Sequence, residues 1–137
     1  MFELHHQLQA DTVFIADLPL NRVLLAKDSN YPWAILVPRR AGVKEIFELS
    51  EPDHQQLWRE STEFSRAMAE YFKANKMNIA ALGNMVPQLH IHHVVRYRTD
   101  AAWPGPIWGA VPPQAYQPNA LAERVDILKT LVAELNF

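Results

Sequence analysis

Residues 86–96 read VPQLHIHHVVR, placing His90, His92 and His93 among Leu89, Ile91, Val94 and Val95. The chain has only six histidines, so half of them fall in four positions. The β-branched neighbours favour an extended backbone. Along a strand, side chains alternate between two faces. Gln88, His90, His92, Val94 and Arg96 then share one face, and Leu89, Ile91, His93 and Val95 the other. Same-face neighbours lie roughly 7 Å apart, twice the rise per residue, which lets several side chains surround one phosphate. On a helix, residues two apart diverge and the row scatters. The stretch is therefore read as a strand in which His90 and His92 form a pair. His93 sits on the packing face and is read as a core histidine with local hydrogen bonds. His5, His6 and His54 lack a companion motif and are read as solvent-facing or as local caps.

Working outward, TVFIADL (12–18) and NRVLLAK (21–27) are apolar runs divided at Pro19, a strand pair with a tight turn. WAILVP (33–38) follows the turn cluster DSNYP, and MNIAAL (77–82) precedes the loop GNMVPQ. With LHIHHVVRYR (89–98) these make five strands. Ser50 is a good N-cap, with Asp53 three residues on, for a helix from Glu51 to Lys73. Its apolar stripe is Leu57, Phe64, Met68, Tyr71 and Phe72, while Arg59, Glu60, Glu63, Arg66 and Glu70 fall on other faces. A second helix opens near Asn119 with Leu121, Val125, Leu128, Val132 and Leu135 on one side. Between them, DAAWPGPIWGAVPPQAYQP (100–118) has too much proline for helix or central strand. The expectation is an α+β fold: a five-stranded antiparallel sheet with a long central helix and a C-terminal helix, one domain over residues 1–137.

Composition narrows the function. A net charge of −2 supplies no basic field for nucleic acid or an anionic membrane, although a small nucleotide needs only a few local donors. The absence of cysteine excludes disulfides, thiolate zinc sites and a cysteine nucleophile, and it fits a cytoplasmic protein. No signal peptide or membrane-length apolar run is read. Two chemistries could use His90 and His92. An H-x-H strand can supply two zinc ligands, but no third-ligand motif accompanies it. Alternatively, an imidazole can attack phosphorus, because much of it is unprotonated near neutral pH, and a second histidine can donate to the substrate. Spacing alone leaves a purely structural pair open.

The segment VPQLHIHHVVR resembles the signature of the histidine triad (HIT) family, His-φ-His-φ-His-φ-φ with φ hydrophobic. In that register Gln88 takes the first triad position, His90 the central one and His92 the third. WAILVPRR is similar to the family's strand ending in proline and basic residues. MNIAALGNMVPQ resembles the strand and loop before the triad, and AAWPGPIWG resembles a bacterial subset with a Gln-Leu-His-x-His version. The resemblance implies a homodimer with sheets joined edge to edge and a nucleotide cleft on each protomer. It implies His90 as nucleophile at the α-phosphate of a nucleoside phosphoramidate or a dinucleoside polyphosphate such as a diadenosine polyphosphate. The covalent nucleotidyl-histidine is resolved by water or by another phosphate. His92 would hydrogen-bond the phosphate or the bridging atom. Asn84 and the backbone near Met85 would contact the phosphate, and Asp28 the ribose hydroxyls. No bound organic cofactor is implied, and a divalent ion would enter only with a polyphosphate substrate.

The sequence departs from the pattern in three places. Gln88 can donate and accept hydrogen bonds but cannot carry a proton at neutral pH. His93 replaces the first hydrophobic residue after the triad, and Trp33 stands near a position where many relatives have a further histidine. A non-catalytic nucleotide-binding or interaction protein with a degraded triad is thus the alternative, and a metal-dependent enzyme the third reading. Trp103 and Trp108 are expected to cover the sheet end, with one of them a candidate cleft wall. Arg96 and Arg98 share parity with His90 and are read as solvated or as polyphosphate neutralisers. Arg39 and Arg40 are read as surface charges.

Overall fold

A computed structural model describes all residues, 1–137. The strands are β1 (Thr12–Asp17), β2 (Asn21–Ala26), β3 (Trp33–Pro38), β4 (Lys76–Ala80) and β5 (Ile91–Arg96). All neighbours pair antiparallel in the order β1-β2-β3-β5-β4, which leaves β1 and β4 at the edges. The helices are α1 (His6–Asp11), α2 (Glu51–Phe72) and α3 (Pro118–Ala133), with a 3-10 turn at Ile46–Glu48. The α+β architecture expected from sequence is the one observed. The short α1 and the 3-10 turn were not foreseen, because six and three residues are too few to show a period.

The helix ends follow their local chemistry. Ser50 Oγ accepts from the Asp53 N–H at 3.3 Å, so the expected N-cap is in place. The Asp53 carboxylate instead holds the Arg40 guanidinium through two bonds of 2.7 and 3.0 Å. Lys73 ends α2 in the left-handed region with φ 54°.

One sheet face packs on α2 and α3. Val23, Leu25, Ala34, Leu36 and Val95 meet Phe64, Met68, Leu128 and Val132 there, all buried. At one end of this layer, Leu57 joins Leu20, Leu49, Leu89 and Ile91. Glu60 was expected on another helix face but is fully buried. Its carboxylate accepts from the Leu20 and Asn21 N–H groups and from the Asn21 side chain, each at 2.9 Å, and so fastens the β1–β2 turn to α2. The surrounding donors are what make a buried charge tolerable.

His93 lies on this same face, as the alternation requires. It is fully buried, with Nδ1–H donating to the Ile91 carbonyl at 2.9 Å and Nε2 accepting from Ser61 Oγ of α2 at 2.8 Å. Burial holds the imidazole down at about 4, against the opposing pull of the Ile91 bond. Below the unfolded value of about 6.5 the unfolded chain takes up a proton that the folded one refuses. Stability is therefore expected to fall as pH drops from about 6.5 to 4, by on the order of 3 kcal/mol from this group. His92, held lower still, acts in the same direction. In His93→Leu the urea midpoint should depend less on pH across that window; an undiminished dependence would refute the assignment.

Candidate active site

The opposite sheet face carries a cleft of about 620 Å³. Its floor includes Ala26, Trp33, Ile35, His90 and His92. One wall is the N-terminal segment through Leu8, Ala10, Asp11 and Thr12, and another is Trp108 with Pro113. The loop Leu82–Val86 closes a further side. Of the residues singled out from sequence, His90, His92, Asp28, Asn84, Met85 and Trp108 all line this one cleft.

His90 precedes β5 by one residue, so the strand begins later than the sequence suggested. The pair survives nonetheless: the rings of His90 and His92 are edge to face, with centroids 4.9 Å apart. Their hydrogen bonds assign their tautomers. His90 Nδ1 lies 2.6 Å from the Gln88 carbonyl, which can only accept, so Nδ1 bears the proton. In the neutral ring the lone pair is then on Nε2. His92 is the reverse. The Trp33 indole N–H, a donor only, reaches His92 Nδ1 at 3.0 Å, so the His92 proton is on Nε2. One imidazole is thus set as a nucleophile and its neighbour as a hydrogen-bond donor. Burial, then the proximity of His90 and His93, pushes the His92 value down to about 3. His92 is therefore neutral at neutral pH, and an anion beside it would draw that value upward.

Trp33 is the functional residue that sequence reading undervalued. No periodicity marks an indole as a tautomer lock; the signal was its place at the start of β3, opposite Val94 and two residues before the partner of His92. Trp108 completes an aromatic frame, 5.0 Å from His92 and 6.2 Å from Trp33 between ring centroids. Trp103 instead lies over the Arg96 guanidinium, 5.6 Å from its ring, and covers the sheet end.

Asp28 Oδ1 accepts from the Asn30 N–H and side chain and from the Gln114 N–H, tying the loop before β3 to the proline-rich segment. Oδ2 makes no hydrogen bond, so one carboxylate oxygen remains for a ligand at the cleft rim. Asn84 is exposed at the opposite rim, and Met85 is almost wholly exposed.

Two expectations are corrected. Gln88 does not reach into the cleft beside His90 and His92; its amide is bonded to the backbone of Glu3 and His5, each at 2.8 Å. Arg96 is neither solvated nor available to a polyphosphate. It is 1% exposed and locked by Asp100, Asn78 and the Gly105 carbonyl. Arg98 is exposed beyond the end of β5. Arg39 donates to the Leu18 and Pro19 carbonyls, and with Arg40 it remains apart from the cleft. His5 caps α1, and His54 Nε2 bonds the Ile46 carbonyl at 2.6 Å. No three His, Cys, Asp or Glu side chains gather closely enough to hold a metal ion. No helix is long and apolar enough to cross a membrane.

A five-stranded antiparallel sheet carrying paired imidazoles of opposite tautomer above an open cleft defines a histidine triad type of site. The HIT domain model matches residues 7–99, and the chain belongs to that family. A histidine triad protein from Marinobacter aquaeolei VT8 is 49% identical, with 99% of each chain covered and a TM-score of 0.95. One from Bradyrhizobium japonicum is 46% identical over 96% of this chain and 98% of that one, with a TM-score of 0.93. One from Sinorhizobium meliloti 1021 is 36% identical, covering 94% and 96%, with a TM-score of 0.91. No curated protein matches.

Proposed function

We propose that the protein is a nucleotidyl hydrolase or transferase that cleaves at the α-phosphate of a nucleoside phosphoramidate or dinucleoside polyphosphate. Family membership supports a HIT-type nucleotide-binding protein. The observation that carries the catalytic reading is the opposed tautomers of His90 and His92. His90 Nε2 attacks phosphorus, forming a P–N bond as the bond to the leaving group breaks, and its Nδ1 proton is steadied by the Gln88 carbonyl. His92 Nε2–H donates a hydrogen bond to a phosphoryl oxygen or to the bridging atom as charge develops there; an amine leaves as ammonia with a proton drawn from solvent, and a polyphosphate leaves as the anion. Water or a second phosphate then displaces His90. The nucleoside lies along the apolar wall of Leu8 and Ile35, with Asp28 Oδ2 accepting from a ribose hydroxyl and Asn84 and the Met85 backbone meeting the phosphate. The residues call for no resident cofactor, and a divalent ion accompanies only a polyphosphate substrate.

The direct test is capture of the intermediate. Adenosine phosphoramidate or a diadenosine polyphosphate is mixed with the protein, quenched in alkali, where P–N bonds last, and digested for mass spectrometry. An adenylyl adduct on the peptide bearing His90 is expected. Nucleotide binding with neither adduct nor turnover would leave the alternative, a non-catalytic binding protein.

The same reading includes a homodimer, in which the open edge of β4 adds to its copy and covers Ile79, now 41% exposed. Light scattering should give twice the 15.7 kDa chain mass; a monomer at micromolar concentration would refute it. The setting proposed with it, on composition, is the cytoplasm.

A further inference from the structure

We infer that Gln88 is a positioning residue whose side-chain amide clamps the N-terminal segment in place as the wall of the cleft, while its backbone carbonyl orients His90. The amide makes two bonds to one stretch of backbone: Oε1 accepts from the His5 N–H, and Nε2 donates to the Glu3 carbonyl, both at 2.8 Å. An extended chain offers the carbonyl of one residue and the N–H of the second residue after it on the same side. Gln88 therefore pairs with residues 3 and 5 as a neighbouring strand would. A primary amide presents its acceptor and donor side by side. A neutral imidazole also has one of each, but its two nitrogens point away from one another, so histidine at this position could serve only one bond.

The clamped segment shapes the cleft. Phe2 and Leu4 pack against the cluster of Leu8, Leu24, Ala26, Ile35 and Val37 on the cleft face of the sheet. Immediately after the clamp, His5 Nδ1 accepts from the Gln7 N–H and starts α1. That helix delivers Leu8 to the cleft wall, 5% exposed, and leads on to Asp11 and Thr12. The glutamine in place of the first histidine thus exchanges a ring for a fork that fixes the nucleoside wall. Its main-chain carbonyl still holds the His90 proton at 2.6 Å. Side chain and backbone of one residue serve binding and chemistry separately.

The consequence for substrate rests on the proposed nucleotidyl transfer; the clamp itself does not. The test uses Gln88→Ala, Gln88→His and His5→Pro, with His5→Ala controlling for the lost helix cap. Proline removes the N–H that Gln88 accepts, and φ −55° at His5 already suits it. Loss of the clamp should raise both the Kd for AMP and the KM for adenosine phosphoramidate roughly tenfold, about the effect of one or two hydrogen bonds. The kcat should stay within about twofold, since the carbonyl on His90 remains. Amide exchange at His5 should accelerate in Gln88→Ala, and by less in Gln88→His, which can keep at most one of the two bonds. Gln88→Ala combined with His5→Pro should be no worse than Gln88→Ala combined with His5→Ala, since both lose the helix cap and the His5 N–H has already lost its acceptor. Unchanged exchange at His5 in Gln88→Ala, a further loss when His5→Pro replaces His5→Ala beside Gln88→Ala, or a fall in kcat at constant KM would overturn the inference. If the wild type neither binds AMP nor turns over the phosphoramidate, the nucleotidyl reading fails, and the exchange data still decide the clamp.

Discussion

His90→Ala should abolish turnover of a nucleoside phosphoramidate, by on the order of 10⁴-fold or more, as removal of a covalent nucleophile does elsewhere. The expectation follows from hydrogen bonds rather than from proximity alone. The Gln88 carbonyl claims the Nδ1 proton, so the remaining nitrogen is the lone pair of the neutral ring. No cysteine exists anywhere in the chain to substitute for it. Affinity for the product nucleotide should change far less, about threefold or below, because most of the cleft surface comes from other residues. His92→Ala should lose less, roughly 10²- to 10³-fold, the effect of removing one donor to a developing charge. Steady-state rates with AMP affinity measured in parallel give both numbers. A His90→Ala protein as fast as wild type would mean that the observed rate is not enzymatic at this site, and the non-catalytic reading would then stand.

The histidine strand was legible because a period of two is a strong signal over even six residues. It separated His93, buried against Ser61 of α2, from His92 on the opposite face. Leu121, Val125, Leu128 and Val132 likewise marked the inner side of α3, and Leu135 packs on the same core just beyond the helix end. What sequence could not show were contacts whose two ends lie far apart in the chain. Gln88 meets residues 3 and 5, Asp28 meets Gln114, and Glu60 meets the turn at residues 20 and 21. In each, a polar side chain of ordinary surface type satisfies backbone groups that a period of hydrophobicity does not record. Glu60 falls off the apolar stripe of α2 for that reason: composition along a helix sees the charge but not the orphaned N–H groups awaiting it. The cleft shows the same limit. Residues near the triad in sequence were found, whereas Leu8 and the tautomer lock from Trp33 required the folded chain.

Arg96→Met should lower stability by about 3–5 kcal/mol, the usual result of removing one partner of a buried ion pair. The Arg96 and Asp100 side chains are 2% and 3% exposed, with the shortest contact at 2.8 Å. The guanidinium uses Nε and Nη2 on Asp100, Nη1 on the Asn78 side chain and Nη2 again on the Gly105 carbonyl, and it lies over Tyr31 and Trp103. Burial tends to raise the Asp100 value, but the Arg96 bond and the N–H groups of Tyr97, Ala102 and Trp103 hold it at about 2. Its contribution to stability is therefore present above the ordinary carboxylate range and is lost as pH falls through about 2. Removing both charges should not restore the protein, because the loss of Asp100 would still leave the Tyr97 and Ala102 N–H groups without an acceptor and Trp103 with only the long bond to the main-chain carbonyl of residue 100. The pair also matters to the cleft. It anchors residues 100–105, from which the chain continues to Trp108 beside His92. Denaturant titration should therefore show the loss of stability, and nucleotide affinity measured well below the unfolding transition should weaken as well. If Arg96→Met unfolds at the wild-type midpoint, the buried pair is not what holds this end of the sheet.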